Sequence, residues 1–344
     1  MMPVPMVGRA GELGELTAAW SRLQPSRSRP HTLASRTAVI TGSAGSGKSL
    51  LVSAALDALD PHPAQVLYGQ ARVHSPAPYD WLAGVLSDRD TRTLPVPDDA
   101  LAWLAQHPDA PRYRYAPDAL LRLAVGTVRA LVGAGPAVLV VEDLHALDPA
   151  SLNLVAELAA VPGLPALLLV TSRPPGEAVS PQLTGRTLTR LAGVPGAIRQ
   201  HLSPLRAEEV HELLGAVYAG TAEVPAPVAR AVWERTEGNP YWLTELIAAR
   251  RGVRPEALAY GPLPEHLRFM GSGPAPQEPD TELTARELEV LSCLAAGMSN
   301  KQVANSLGIS IRTVTVHVSN LLRKTRSSSR TEAALWAVRH QLTG

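Results

Sequence analysis

The chain has 344 residues, 45% of them hydrophobic, with 31 prolines, 26 glycines, one cysteine and a net charge of +1, which leaves room for two domains and a substantial core. The lone Cys293 excludes an internal disulfide, no stretch reaches the ~18 apolar residues of a membrane-spanning helix, and the N-terminus lacks the charged and apolar regions of a secretion signal, so a cytoplasmic protein is expected. No membrane partner is expected. Charge is unevenly spread: from Glu282 onward eight basic residues stand against four acidic ones, a small basic module suited to a polyanion.

In chain order, the pattern predicts a helix over Gly11–Leu23, a β-branched strand over Thr37–Thr41 that stops at Gly42, and a helix over Ser49–Leu59. A second strand is expected at Ala64–Gln70. Residues 73–117 are rich in Pro and Asp and suggest only short helices. Pro117–Val132 has the apolar spacing of an amphipathic helix. Ala137–Val141 and Ala166–Thr171 are continuous apolar runs, the pattern of strands buried on both faces of a parallel sheet. Ser151–Ala160 reads as a helix, Arg199–Leu202 as an edge strand, and Ala207–Tyr218, Pro225–Arg235 and Tyr241–Arg250 as helices. Strands alternating with helices predict an α/β doubly wound domain with a parallel sheet over residues 1–250. Residues 251–281, with Gly271-Ser-Gly-Pro-Ala-Pro, read as a linker. Residues 282–344 read as a small all-α domain.

The run Gly42, Ser43, Ala44, Gly45, Ser46, Gly47, Lys48, Ser49 matches the phosphate-binding P-loop and falls between a strand and a helix. Glycines let the backbone curl amides toward phosphate oxygens. The helix N-terminus adds its dipole. Lys48 is expected to reach the β- and γ-phosphates and Ser49 to ligate Mg²⁺. Glu142 and Asp143 end the third strand as a Walker B pair. By position Glu142 is the metal-side acid and Asp143 the base for attacking water, although the Glu-Asp order leaves the two roles open. Arg173, at the end of the next strand, is placed to sense the γ-phosphate.

Together with Val7-Gly8-Arg9, Glu142-Asp-Leu-His145-Ala-Leu-Asp148, Thr171-Ser-Arg173-Pro and Glu237-Gly-Asn-Pro240-Tyr-Trp, these motifs resemble the STAND class of AAA-type ATPases, in particular LuxR-family regulators with a large ATP-binding domain. The resemblance spans roughly residues 5–250. It implies ATP with Mg²⁺ as the bound nucleotide, Arg9 near the adenine, and a helical lid packed on the nucleotide through Pro240. His145 and Asp148 match by motif alone, with no physical role apparent. Family members usually carry a long helical repeat array between their ends. No such array is read between residues 251 and 281, so the resemblance implies a short form.

From Leu283 the chain predicts a helix capped by Thr284 with Glu287 as capping-box partner. A helix over Asn300–Leu307 follows, then a turn at Gly308, and then a third helix from Ser310 to about Lys324. Val314, Val318 and Leu321 form its inward face. With Gly297-Met-Ser-Asn300-Lys301 and Ser329-Arg-Thr-Glu-Ala-Ala334, the stretch closely resembles the LuxR/GerE-type helix-turn-helix. That resemblance implies double-stranded operator DNA as partner, and a homo-oligomer, at least a dimer on DNA. Thr315, Val316 and Ser319 would face base edges; Lys301, Thr313, Asn320, Arg323 and Lys324 would lie nearer phosphates. The expected activity is an ATP-binding transcription regulator in which nucleotide binding and slow hydrolysis control self-association and operator binding. Two other readings stay open: a non-signalling P-loop in a regulator that works through a protein partner, and an ATPase tethered to DNA.

Overall fold

The computed structural model describes residues 6–24, 36–70, 77–87, 89–91, 93–107, 110, 115–250, 252–262, 285–295, 298, 300–309, 314, 317, 318 and 321. The chain divides into two compact units, Met1–Gly271 and Ser272–Gly344.

The first unit is built on five parallel strands: β1 (Arg36–Thr41), β2 (Val66–Gln70), β3 (Ala137–Glu142), β4 (Ala166–Ser172) and β5 (Ile198–His201). Their spatial order is β2-β3-β4-β1-β5. β3 and β4 are buried at every position, which is why they read as unbroken apolar runs and not as alternations. Their side chains still divide by parity. Leu139, Val141, Leu168 and Val170 join one core; Val138, Val140, Leu167 and Leu169 join the other.

Helices cover both faces. α1 (Ala10–Ser21) and α2 (Lys48–Ala58) place Leu16, Trp20, Leu51 and Val52 on one side. On the other lie α3 (Asp80–Leu86), α4 (Asp98–Leu104), α5 (Pro117–Val132), α6 (Pro149–Ala160) and α7 (Pro181–Ala192). Trp81, fully buried, packs there and donates Nε1–H to the Val140 carbonyl at 2.8 Å. Burying a side chain of this size contributes about 2–3 kcal/mol.

The lid has a core of its own. It comprises α8 (Ala207–Val217), α9 (Ala226–Thr236), α10 (Pro240–Ala249) and α11 (Pro255–Tyr260), packed through Val210, Leu214, Val232, Leu243, Leu246 and Leu258. α11 lies inside the stretch that reads as linker. Its six residues are too few for a periodic signal, and its end is held from outside. Arg235 donates to the carbonyls of Leu258, Ala259 and Gly261 at 2.7 to 2.9 Å, satisfying acceptors that a helix leaves open.

In the second unit α12 (Ala285–Ala295) and α13 (Asn300–Leu307) pack on Val314 and Leu321. Val318 is partly buried against the same cluster, as its spacing predicts, and so is Cys293. Gly308, at φ +64°, ends α13. The expected cap Thr284 lies outside the described residues.

Candidate functional site

The loop from Gly42 to Gly47 joins β1 to α2 at the carboxyl end of the sheet, where parallel sheets open onto ligands. Gly45 and Gly47 have φ of +76° and +89°, a conformation that costs an L-residue about 1–2 kcal/mol. Beside them is a cavity of about 350 Å³, lined by Ala44, Gly45, Gly47, Lys48, Ser49, Leu50, Asp143, Arg173, Pro240, Tyr241 and Thr244. Eight of the residues that sequence reasoning singled out are thus brought together: Ala44, Gly45, Gly47, Lys48, Ser49, Asp143, Arg173 and Pro240.

Lys48 is only 7% exposed. Its Nζ donates to the carbonyls of Gly42 and Ser43 at 2.9 and 2.8 Å, and Ser46 Oγ lies 3.5 Å away. Burial lowers its pKa, an effect opposed by the nearby Asp143 carboxylate. The ammonium that sequence reasoning assigns to phosphate therefore rests on its own loop.

Of the two acids, Asp143 lines the cavity. Glu142 is 5% exposed and accepts a 2.7 Å hydrogen bond from the Tyr68 hydroxyl. Burial, and then that bond, push the Tyr68 phenol up. Tyr68 carries no motif signal; only the pairing of β2 with β3 brings it there. Asp143 sits at φ +51° with its amide on Thr171 Oγ1 at 3.1 Å. His145 Nδ1 lies 3.9 Å from Asp143 Oδ1 and accepts the Arg173 amide at 3.3 Å. Burial lowers the His145 pKa, consistent with a neutral ring that accepts at Nδ1. The Arg173 guanidinium is 3.6 Å from Glu177.

Asp148 has a structural place that its motif did not reveal. It caps α6, accepting from Ala150 and Ser151, and also takes the amides of Tyr79 and Asp80 at the start of α3. Arg9 does not line the cavity. It pairs with Glu12 at 3.2 Å and donates to the Ser203 carbonyl, where the chain enters the lid.

The lid meets the loop directly. Asn239 Nδ2 donates to the Ala44 carbonyl at 3.0 Å, and the Tyr241 amide donates to the Gly45 carbonyl at 3.1 Å. The motif quoted from the sequence contains Asn239 and Tyr241, but the resemblance implies a role for Pro240 alone.

The cavity suits a polyphosphate: Lys48 and Arg173 supply cations, and the first amides of α2 have no intrahelical acceptor. Among the described residues no group of three or more His, Cys, Asp or Glu is placed to hold a metal ion. A divalent cation here would thus rely on phosphate oxygens and water as well as on Ser49 and an acid, the usual manner of Mg²⁺. Of the nominated DNA contacts, Lys301 is described only as a position on α13, without its side chain. Thr313, Thr315, Val316, Ser319, Asn320, Arg323 and Lys324 lie outside the described residues. No described helix is long and apolar enough to cross a membrane.

Residues 5–170 match the AAA ATPase domain, and residues 281–337 match the bacterial regulatory proteins of the luxR family. Among curated relatives, the transcriptional regulatory protein LiaR of Bacillus subtilis is 40% identical over 87 residues, 25% of this chain and 40% of LiaR. The nitrate/nitrite response regulator protein NarP of Escherichia coli is 42% identical over 99 residues, 29% of this chain and 45% of NarP. The chain thus spans less than half the length of these relatives. A slight likeness, 16% identity at a TM-score of 0.46, covers 93% of this chain and 90% of the Walker-type ATPase of Pyrococcus abyssi. The chain thus joins a region that matches the AAA ATPase domain to a region that matches the luxR-type regulatory domain.

Proposed function

We propose that this chain is a nucleotide-gated transcription regulator, in which ATP with Mg²⁺ at the P-loop cavity controls self-association and, through it, operator binding. One observation carries this reading: the cavity is lined from the P-loop, from the ends of the sheet and from the lid's α10 at once. A ligand that fills it touches the loop and the lid together and so bears on how firmly the lid sits on the loop. A ligand shifts such an equilibrium only by binding one arrangement better than the other.

In this reading Lys48 leaves its loop carbonyls to meet phosphate, and Arg173 reads the terminal phosphate. Ser49 and Glu142 hold the metal's shell, and Asp143 orients water. Bound Mg²⁺ would supply neutralisation of phosphate charge. Hydrolysis is slow and resets the switch. Thr315, Val316 and Ser319 read bases while Lys301, Thr313, Asn320, Arg323 and Lys324 hold the backbone, by likeness to the luxR-type domain. Pairing two small DNA readers raises their effective concentration on a two-half-site operator.

The test is a titration of the full chain with ATP plus Mg²⁺, with ADP and with neither, following oligomer mass and affinity for a promoter fragment from its own locus. A shift of both with ATP is expected. ATP binding that moves neither sinks the gating.

A further inference from the structure

Asn239 uses both ends of one short side chain. Its Oδ1 accepts the Tyr241 amide at 3.0 Å and so caps α10. Its Nδ2 donates to the Ala44 carbonyl at 3.0 Å, across 195 positions of sequence. The Tyr241 amide is shared, reaching the Gly45 carbonyl at 3.1 Å as well. Backbone contacts fix Asn239 itself, since its amide donates to Thr236 and its carbonyl accepts from Leu243.

The loop is shaped for this approach. A Cβ on Gly45 would stand 2.6 Å from Asn239 Oδ1 and 2.7 Å from Tyr241 Cβ, so the glycine leaves room for the lid. Four successive carbonyls of the loop take protein donors. Gly42 and Ser43 bind Lys48; Ala44 and Gly45 bind the lid. In a trans peptide the N–H points opposite to the C=O. Holding the Ala44 and Gly45 carbonyls therefore sets the direction of the amides of Gly45 and Ser46.

We propose that Asn239 is a positioning residue that latches the lid to the phosphate-binding loop, so that phosphate binding and lid docking are one coupled equilibrium. The proposal rests on the nucleotide reading above and deepens it. Coupling is reciprocal: a docked lid presents the loop in its binding form, and a bound phosphate holds the lid. Among capping residues only Asn carries its acceptor and its donor on separate atoms, Oδ1 for α10 and Nδ2 for Ala44. Ser retains the cap but falls one bond short of the carbonyl.

The experiment compares wild type, Asn239→Ser and Asn239→Ala in the full chain. Affinities for Mg·ATP and for Mg·tripolyphosphate are measured by calorimetry, and amide hydrogen exchange is followed over residues 236–250 with and without each probe. In wild type both probes should slow exchange in α10. Asn239→Ser should bind both about tenfold more weakly, the equivalent of one net hydrogen bond. Its α10 should exchange faster than in wild type without ligand and no longer slow when either probe is added; Asn239→Ala should match it in affinity. Wild-type affinity and response in Asn239→Ser, with losses only in Asn239→Ala, would reduce the residue to a helix cap and overturn the proposal. So would wild-type behaviour of both variants. Failure of the wild type to bind either probe overturns the proposed function, and the latch with it.

Discussion

Replacing Asp148 tests whether the extended acidic motif after β3 serves architecture. The carboxylate is 6% exposed and accepts four backbone N–H groups: Ala150 and Ser151 at 2.9 Å, Tyr79 at 3.1 Å and Asp80 at 3.2 Å. Tyr79 is held at φ +62°, so the bond also supports a backbone conformation that non-glycine residues avoid. In Asp148→Ala the lost cap of α6 costs about 1 kcal/mol. Two buried amides without acceptors cost about 1–3 kcal/mol each, for a total of about 3–7 kcal/mol. That is a large part of the ~5–15 kcal/mol that holds a domain folded. Asp148→Asn keeps one carbonyl oxygen, and with it the bonds made by Oδ1 to Ala150, Ser151 and Tyr79. Only the Asp80 amide then faces an NH₂ group, and about 1–3 kcal/mol is expected. Urea unfolding followed by tryptophan fluorescence, which sees Trp81 of α3, measures both. Equal losses in the two variants, or a loss under about 1 kcal/mol for alanine, would refute the reasoning.

Three further outcomes follow from the site. Lys48→Ala should weaken ATP binding by roughly ten- to a hundredfold, the worth of one charge-assisted hydrogen bond, and should remove any ATP-dependent change in oligomer mass; normal assembly of the variant would count against gating. For His145, burial depresses the pKa below 6.5, so as pH falls the unfolded chain takes up the proton first. Stability should therefore be level above about pH 6.5 and decline below it. His145→Gln, whose side-chain oxygen can still accept the Arg173 amide, should flatten that decline in unfolding midpoints between about pH 5 and 8; parallel curves for the two proteins would remove His145 as the cause. Gly45→Ala meets Asn239 and Tyr241 at 2.6 and 2.7 Å from a φ of +76°. It should cost about 1–2 kcal/mol for the left-handed backbone and speed hydrogen exchange in α10, and unchanged exchange there would show that the close fit carries no force.

What was legible in the sequence is what local chemistry writes down. β3 and β4 announce themselves because both faces are buried and every position is apolar. The P-loop is legible because its glycines and lysine are demanded at fixed spacing. α7 received no element from the sequence reading, although Leu183, Leu188 and Leu191 share the face that also buries Thr184 and Thr187, a spacing compatible with an amphipathic helix. α11 was read as linker. Leu258 and Ala259 are buried, but the carbonyls that end the helix are satisfied by Arg235 on α9, a partner no local pattern reveals.

The same distinction runs through the site. Lys48, Asp143 and Arg173 were nominated because each is the charged residue at a strand end or helix start, and all three line the same cavity. Asp148, Asn239 and Tyr68 work by hydrogen bonds across 69, 195 and 74 positions. Their residue types are compatible with plain roles: an N-cap, a turn, a strand tyrosine. Only topology separates those roles from the ones observed. β2 must lie beside β3 for Tyr68 to meet Glu142. Likewise, the lid must fold back over β1 for Asn239 to meet Ala44. Spacing can therefore nominate the groups that touch a ligand. The groups that hold them still are chosen by contacts that exist only after the chain has closed on itself, and in this chain those contacts run from β2 to β3, from α6 to α3 and from the lid to the loop.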